Sequence, residues 1–211
     1  LTSTKLYLHL LLENLSKKSL PKEDTHQQNL LFVQKAGKSI ERLQLLISEL
    51  LDINKIKLGK LDLNLTTFDF NKMLDNAIED VQISSYYHTF LKEGIISTPF
   101  NGDWDRLQQV VINLLTNAVK YSPDSDKVFI TVTEDEHMIK VAVKDQGVGI
   151  KKGNLDKIFD LYYREEESSH PFQGFGLGLS ISSEIVYRHN GKIWAESEPG
   201  KGTTVYFTLP K

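Results

Sequence analysis

The chain has 211 residues, 40% hydrophobic and 25% charged, which is the composition of a soluble globular protein with one large domain, or a small domain with a helical appendage. A net charge of −3 excludes a general pull toward nucleic acid, and zero cysteines exclude disulfides and thiolate metal sites, which fits a reducing, cytoplasmic setting. No apolar run reaches membrane-spanning length and no signal peptide is present; the chain opens at Leu1 in mid-helix pattern, so it reads as a fragment whose sensor or membrane anchor would lie in absent upstream segments.

The opening part differs in pattern from the rest. Leu6, Leu8, Leu10, Leu11, Leu12 and Leu15 predict a short leucine-rich helix, and the stretch from Ser19 to His26, broken by Pro21, predicts a loop. A longer helix is predicted from about Gln28 to Ile56. Within it Val33, Ala36, Ile40, Leu43, Ile47 and Leu50 alternate steps of three and four, the spacing of a coiled-coil seam. Leu31, Leu46, Ile53 and Ile56 widen the stripe beyond one partner helix. The expectation is an antiparallel hairpin that dimerises into a four-helix bundle, with a hairpin packed on its own domain as the alternative. Lys57-Leu-Gly59-Lys60 closes the helix.

From Leu61 the pattern is mixed. Leu61, Leu63 and Leu65 alternate as in a strand, residues 70–81 are amphipathic, and residues 88–91 and 95–100 have strand character. Asp103 is placed to cap a helix that carries Leu107, Val110, Val111, Leu114, Leu115 and Ala118 inward. Residues 127–133 and 138–144 alternate around an acidic turn. A helix over 177–189 precedes a last hairpin, 192–197 and 203–209. Strands and helices on one core predict an α/β two-layer sandwich, a mixed sheet packed on helices. The expected division is 1–60 for the hairpin and 61–211 for the sandwich.

Four motifs carry chemistry. Asn113, Asn117 and Lys120 share one face of the predicted helix. Carboxamide oxygens suit a hard cation such as Mg²⁺, which keeps waters and takes further ligands from phosphates. Lys120 offers point charge to those phosphates, and Tyr121 offers a flat ring to a base. Alone, these residues also describe an ordinary polar helix face. Asp145 ends an apolar strand and enters Gln-Gly147-Val-Gly149-Ile150; a carboxylate there can accept a hydrogen bond from the exocyclic amine of adenine, although Asp-x-Gly is also a plain turn. Gly174-Phe175-Gly176-Leu177-Gly178 stands before a helix, whose free amides can bind phosphate; its glycine spacing is not that of a dinucleotide fingerprint. Arg164, in the polar stretch before it, could reach a terminal phosphate. Gly200-Lys-Gly202-Thr203-Thr204 closes the set. Together the motifs describe an ATP site without a P-loop. His9 lacks an acidic residue after it and reads as an ordinary surface histidine.

The four motifs resemble the N, G1, G2 and G3 boxes of two-component sensor histidine kinases of the GHKL ATPase superfamily. Ile158-Phe159-Asp-Leu-Tyr162-Tyr163-Arg164 resembles the F box between them, and the hairpin resembles the second half of a HisKA dimerisation and phosphotransfer domain. The resemblance implies that Asn117 coordinates Mg²⁺ with Asn113 near it, and that Asn113, Lys120 and Arg164 serve catalysis at the phosphates. It implies that Asp145 reads the adenine amine, with Tyr121, Gly147, Gly149 and Ile150 around the base and Thr204 supporting Asp145. Gly174, Phe175, Gly176, Leu177 and Gly178 would form the hinge of a lid over ATP. Three departures stand out. Gln173 and Phe175 replace the family's usual Gly and Thr, and His189-Asn190-Gly191 replaces His-Gly-Gly. The phosphoacceptor box, which reads like His-Glu-Leu-Arg-Thr-Pro, is missing; Leu1-Thr2-Ser3 resembles the residues after its proline, so the acceptor is expected about five residues upstream.

By that resemblance the chain belongs to an ATP-dependent protein histidine kinase. It would pass the γ-phosphate of Mg-ATP to the upstream histidine and then to an aspartate of a response regulator receiver domain. It would act as a homodimer without nucleic acid, and this fragment would bind ATP without phosphorylating itself. One alternative is a GHKL ATPase of the chaperone, gyrase or mismatch-repair type, which usually carries Glu where Asn113 stands; Asn is a poor general base. The other is a noncatalytic dimerisation and signalling module that binds nucleotide structurally.

Overall fold

Two helices begin the chain, α1 (Thr2–Ser16) and α2 (Glu23–Lys57). The computed structural model describes residues 2–16, 23–163 and 175–211. Helix α2 starts earlier than its apolar stripe, taking in residues 23–26 of the expected loop. The helices run antiparallel. Asn14 Nδ2 donates to Asn29 Oδ1 at 3.1 Å, and Tyr7 stacks on Phe32 with centroids 6.5 Å apart. Gly59, at φ 67°, ends α2, and its N–H donates to Ile56 O at 2.9 Å. Of the heptad residues, Ala36 is buried, while Val33, Ile40, Ile47 and Leu50 stay exposed in the single chain.

The chain divides into two compact units, Leu1–Gly59 and Lys60–Lys211. In the second, strands β1 (Thr66–Phe68) and β3 (Phe100–Gly102) form a small antiparallel ribbon beside helix α3 (Phe70–Ser84) and strand β2 (Thr89–Glu93). Helix α4 (Trp104–Tyr121) leads to the hairpin β4 (Lys127–Glu134) and β5 (Met138–Lys144). Single helical turns at Lys152–Asn154 and Lys157–Phe159, helix α5 (Gly178–Arg188) and the hairpin β6 (Lys192–Glu198) and β7 (Gly202–Pro210) complete it. The main sheet has the order β2-β4-β5-β7-β6; β2 and β4 are parallel and every other pair is antiparallel. This is the expected two-layer α/β sandwich with a mixed sheet.

The layers follow from the period-two pattern. Val128, Ile130, Val132, Ile139, Val141, Val143, Phe207 and Leu209 are buried beneath the helices, while Lys140, Lys144 and Thr131 point to the open face. Helix α4 buries Leu107, Val110, Val111, Leu114, Leu115 and Ala118, the six residues expected from its spacing. Asp103 caps it, and this one carboxylate joins two segments: Oδ1 accepts from Arg106 N at 3.1 Å and Oδ2 from Asn64 N at 2.8 Å. Phe68, Phe70, Phe100 and Trp104 pack edge to face around the small ribbon, with Phe68 and Trp104 centroids 5.1 Å apart.

Two expected strands do not form. Leu61 is buried and Leu65 exposed, and residues 61–65 run as irregular chain up to β1; the Asn64 amide goes to the Asp103 carboxylate rather than to a neighbouring strand. Residues 95–99 are also irregular. Ile96 is buried, but its backbone pairs with a side chain: its N–H donates to Asn71 Oδ1 at 2.9 Å and its C=O accepts from Asn71 Nδ2 at 2.8 Å. The Asn71 amide thus does what a strand partner would do.

His189 is buried with both ring nitrogens engaged. Nδ1 donates to Ile185 O at 2.8 Å and Nε2 accepts from Asp103 N at 3.0 Å, which requires the neutral imidazole. Burial holds its pKa below the ordinary value, against smaller raising effects of the Ile185 carbonyl and Asp103.

Two outcomes follow. Asn71→Ala leaves the buried Ile96 N–H and C=O without partners and is expected to cost about 2 kcal/mol in denaturant unfolding. Because His189 titrates lower folded than unfolded, its stabilisation is complete above the unfolded value of about 6.5 and is lost as pH falls toward the folded value. The unfolding midpoint is expected to drop between pH 7.5 and 5.5, and a His189→Gln variant, less stable throughout, to show a flatter profile.

Candidate functional site

Asp145 follows the last residue of β5, on the helix-facing side of the sheet, and is 7% exposed. Its backbone N–H donates to Thr203 O at 2.9 Å. Its carboxylate oxygen Oδ1 accepts from Gly147 N at 2.8 Å and Thr203 N at 3.1 Å. Among the described residues no group bonds the other oxygen, Oδ2. Burial raises the Asp145 pKa from its ordinary value, against the lowering effect of those amides.

The glycines around Asp145 mark backbone brought against backbone. A Cβ on Gly147 would lie 2.0 Å from Tyr121 O, and one on Gly149, at φ 69°, would lie 2.2 Å from Glu198 O. Val148 N donates to Tyr121 O at 3.1 Å, and Gly200 N to Val148 O at 2.8 Å. The second and fourth motifs and the end of α4 therefore form one knot. Ser197 ties it from β6. Its single proton goes to Gly202 O at 2.8 Å, so Thr203 is the donor in their 2.9 Å hydroxyl pair, and Ser197 Oγ also accepts from Ile150 N at 2.8 Å.

Thr204 is not where the resemblance puts it. In register it pairs with Lys144 on one side and Glu196 on the other, and it lines the open face with Phe129 and Tyr206. Thr203, one residue earlier, faces Asp145. Alternation read back from the buried Leu209 and Phe207 would have found it, since 203 shares their parity. Ser197 and Ser182 were also missed, and nothing in the local sequence marks them.

The C-terminal half of α4 carries Asn113, Asn117, Lys120 and Tyr121, all half-buried. Lys120 Nζ donates to Tyr121 Oη at 2.9 Å and lies 4.4 Å from the centre of that ring. Asn113 Nδ2 donates to Ser182 Oγ on α5 at 2.9 Å, and Asn117 Nδ2 to Asn113 Oδ1 at 3.4 Å. Helix α5 begins at Gly178 directly across from Asn113. Leu177 holds its N-cap position with no side-chain cap bond, so the first-turn amides are open on that end. Leu177 is buried, Phe175 is exposed, and Gly176, at φ 69°, accepts through its carbonyl from Tyr162 N at 3.1 Å. Arg164 and Gly174 lie outside the described residues, as does Gln173.

The arrangement combines an open carboxylate oxygen among amides, an amide-bearing helix face, and an uncapped helix N-terminus. Among the described residues no cluster of three or more His, Cys, Asp or Glu could hold a metal, and no helix is long and apolar enough to cross a membrane. A cation here would depend on amide oxygen and on ligands brought by a phosphate-bearing molecule, which is how Mg²⁺ is commonly held.

The sequence model of the family described as "Histidine kinase-, DNA gyrase B-, and HSP90-like ATPase" matches residues 102–211. The sensor protein kinase WalK of Staphylococcus aureus is 36% identical over 183 residues, which is 85% of this chain and 44% of that relative. The chain thus spans less than half the length of this curated relative. The mycobacterial sensor histidine kinase MprB is similar over 69% of this chain and 97% of its own, with a TM-score of 0.60 and 27% identity. Histidine kinase ThkA, solved in complex with the response regulator protein TrrA, is similar over 99% of this chain and 57% of its own, with a TM-score of 0.64; at 22% identity the likeness is one of fold.

Because the folded Asp145 titrates above its unfolded value, its contribution favours folding at low pH and is lost as pH rises through the folded value. Asp145→Asn keeps the Oδ1 acceptor and removes the buried charge. Its thermal midpoint at pH 7.5 is expected to equal or exceed that of the parent chain, measured by circular dichroism.

Proposed function

The chain belongs to the histidine kinase-, DNA gyrase B- and HSP90-like ATPase family, and on that premise we propose that it is the ATP-binding part of a protein histidine kinase in a two-component system. The observation that carries the reading is Asp145. Its Oδ1 is fixed by two backbone amides while Oδ2 remains an open acceptor, which suits the exocyclic amine of adenine. Ile150 and the Lys120–Tyr121 pair border the same knot, and the phosphates extend toward the uncapped first turn of α5.

Asn117 is the residue that would hold Mg²⁺, since its oxygen has no partner among the described residues. Asn113 supports it, and the cation would offset phosphate charge. Lys120 serves the phosphates as a point charge, and Arg164 and the glycines from Gly174 to Gly178 belong to the lid. The acceptor we propose is a histidine upstream of Leu1. Its imidazole takes the γ-phosphoryl group in line, ADP leaves, and the phosphoryl group passes to an aspartate of a receiver domain. Such transfer asks the protein for positioning and electrostatics.

Asn113 also bears on the clamp-ATPase alternative. The residue at that position is an amide bonded to Ser182, so it offers no carboxylate to activate water. Homodimerisation through the hairpin is supported by the exposed Val33, Ile40, Ile47 and Leu50, which form an apolar stripe without cover in one chain. The setting of these steps is the cytoplasm, with any membrane attachment supplied by segments outside this sequence.

The test uses labelled ATP with Mg²⁺ on this chain and on one extended upstream through the acceptor box. The extended chain is expected to gain acid-labile, alkali-stable phosphate. The 211-residue chain is expected to bind ATP without gaining it. In both, Asp145→Asn should weaken ATP binding at least about tenfold, because an NH₂ replaces the acceptor facing the adenine amine. Phosphate-free extended protein that still binds ATP would instead favour the noncatalytic module.

A further inference from the structure

The Asn113 side chain is held by α5 at two points. Its Nδ2 donates to Ser182 Oγ at 2.9 Å. Its Oδ1 rests against the Gly178 α-carbon so closely that a Cβ there would lie 2.1 Å away. Gly178 and Ser182 are four residues apart and share one face of α5, so the amide sits between them. Ser182 is itself buried, at 2% exposure.

Asn113 Oδ1 also accepts from Asn117 Nδ2, at 3.4 Å. The two amides therefore donate in one direction: Asn117 to Asn113, and Asn113 to Ser182. This polarity turns the Asn117 NH₂ inward and leaves its carbonyl oxygen outward, unbonded among the described residues. A hard cation takes an amide oxygen and is repelled by an amide NH₂. With both amides reversed, the Asn117 oxygen would face Asn113 and its NH₂ would face the cation. The contact on Gly178 favours the orientation seen, because, of an NH₂ in that place, one hydrogen would reach the Asn117 oxygen and the other would press on the α-carbon with no acceptor.

We propose, resting on the nucleotide reading above, that Ser182 is a positioning residue for the metal. The Gly178 contact selects the polarity of the Asn113–Asn117 pair, and Ser182, by accepting from Asn113, holds that arrangement in place and so presents the Asn117 oxygen to Mg²⁺. It acts through two amides rather than on the substrate, and it makes readiness for the cation depend on how α5 packs on α4.

The test compares the parent chain with Ser182→Ala, Ser182→Cys and Ser182→Thr by two readouts. The first is the side-chain amide NMR resonances of Asn113 and Asn117 without nucleotide. The second is ATP affinity in Mg²⁺ against affinity in excess EDTA. Ser182→Ala is expected to shift both amides and to cut the Mg²⁺-dependent gain in affinity about tenfold, with the metal-free affinity unchanged. Ser182→Cys, close in volume and a weaker acceptor, should lose less, and Ser182→Thr should restore both readouts. The proposal is overturned if Ser182→Ala leaves the Asn117 amide and the Mg²⁺ gain unchanged, or if it weakens metal-free binding equally. A parent chain that binds no ATP in either condition overturns the nucleotide reading itself, an outcome the nucleotide-free amide resonances keep separate from a failure of the Ser182 relay.

Discussion

The second unit is organised by one buried carboxylate held by backbone amides. Asp145 stands where β5 leaves the sheet, and its bonds to Gly147 and Thr203 decide how the chain turns away and where β7 enters. Everything near the site is measured from that point. The Gly147–Gly149 turn is pressed onto the last carbonyl of α4, and Gly200 and Ser197 close over it from the final hairpin. A buried carboxylate is a costly anchor, as its raised pKa records, and neutral residues could make a similar turn at less cost. Its bonds all go to one oxygen, and the other remains an open acceptor among the described residues.

Helix α4 works on two faces at once. Its apolar face fills the core beneath the sheet, and its amide face meets α5. The separation is the ordinary consequence of helical period, but the amide face gains meaning only from what α5 sets against it. Gly178 lets the Asn113 amide approach, and Ser182 holds that amide by a hydrogen bond. The open first turn of α5 begins at Gly178, against the Asn113 amide oxygen.

The fold shares much with sensor histidine kinases, and the departures sit at its edges. Phe175 is exposed beside the positive-φ Gly176, and His189-Asn190-Gly191 closes α5 with Asn190 at φ 57° where the family usually has glycine. Asparagine tolerates that left-handed conformation at modest cost, so the second departure is absorbed locally. His189 itself is structural: it bridges the end of α5 to the cap of α4 through a single neutral tautomer.

Much of this was legible in the sequence because it depends on local period and local chemistry. The inward face of α4, its Asp103 cap, the β4–β5 and β6–β7 hairpins and the ordered glycine motifs all follow from neighbours a few residues apart. The expected strands at 61–65 and 95–100, of which only Phe100 enters a strand, look like strands because alternation is local, yet a strand also needs a partner, and partners are tertiary. In one case the Asp103 carboxylate and in the other the Asn71 amide took the backbone bonds instead. Thr203 rather than Thr204 supports Asp145 because register across β5 and β7 decides which of two adjacent threonines faces the core. Ser182 and Ser197 carry no mark in the chain at all. Their hydroxyls matter only because folding brings distant polar groups within hydrogen-bond reach, and a hydrogen bond depends on distance in space and not on separation along the sequence.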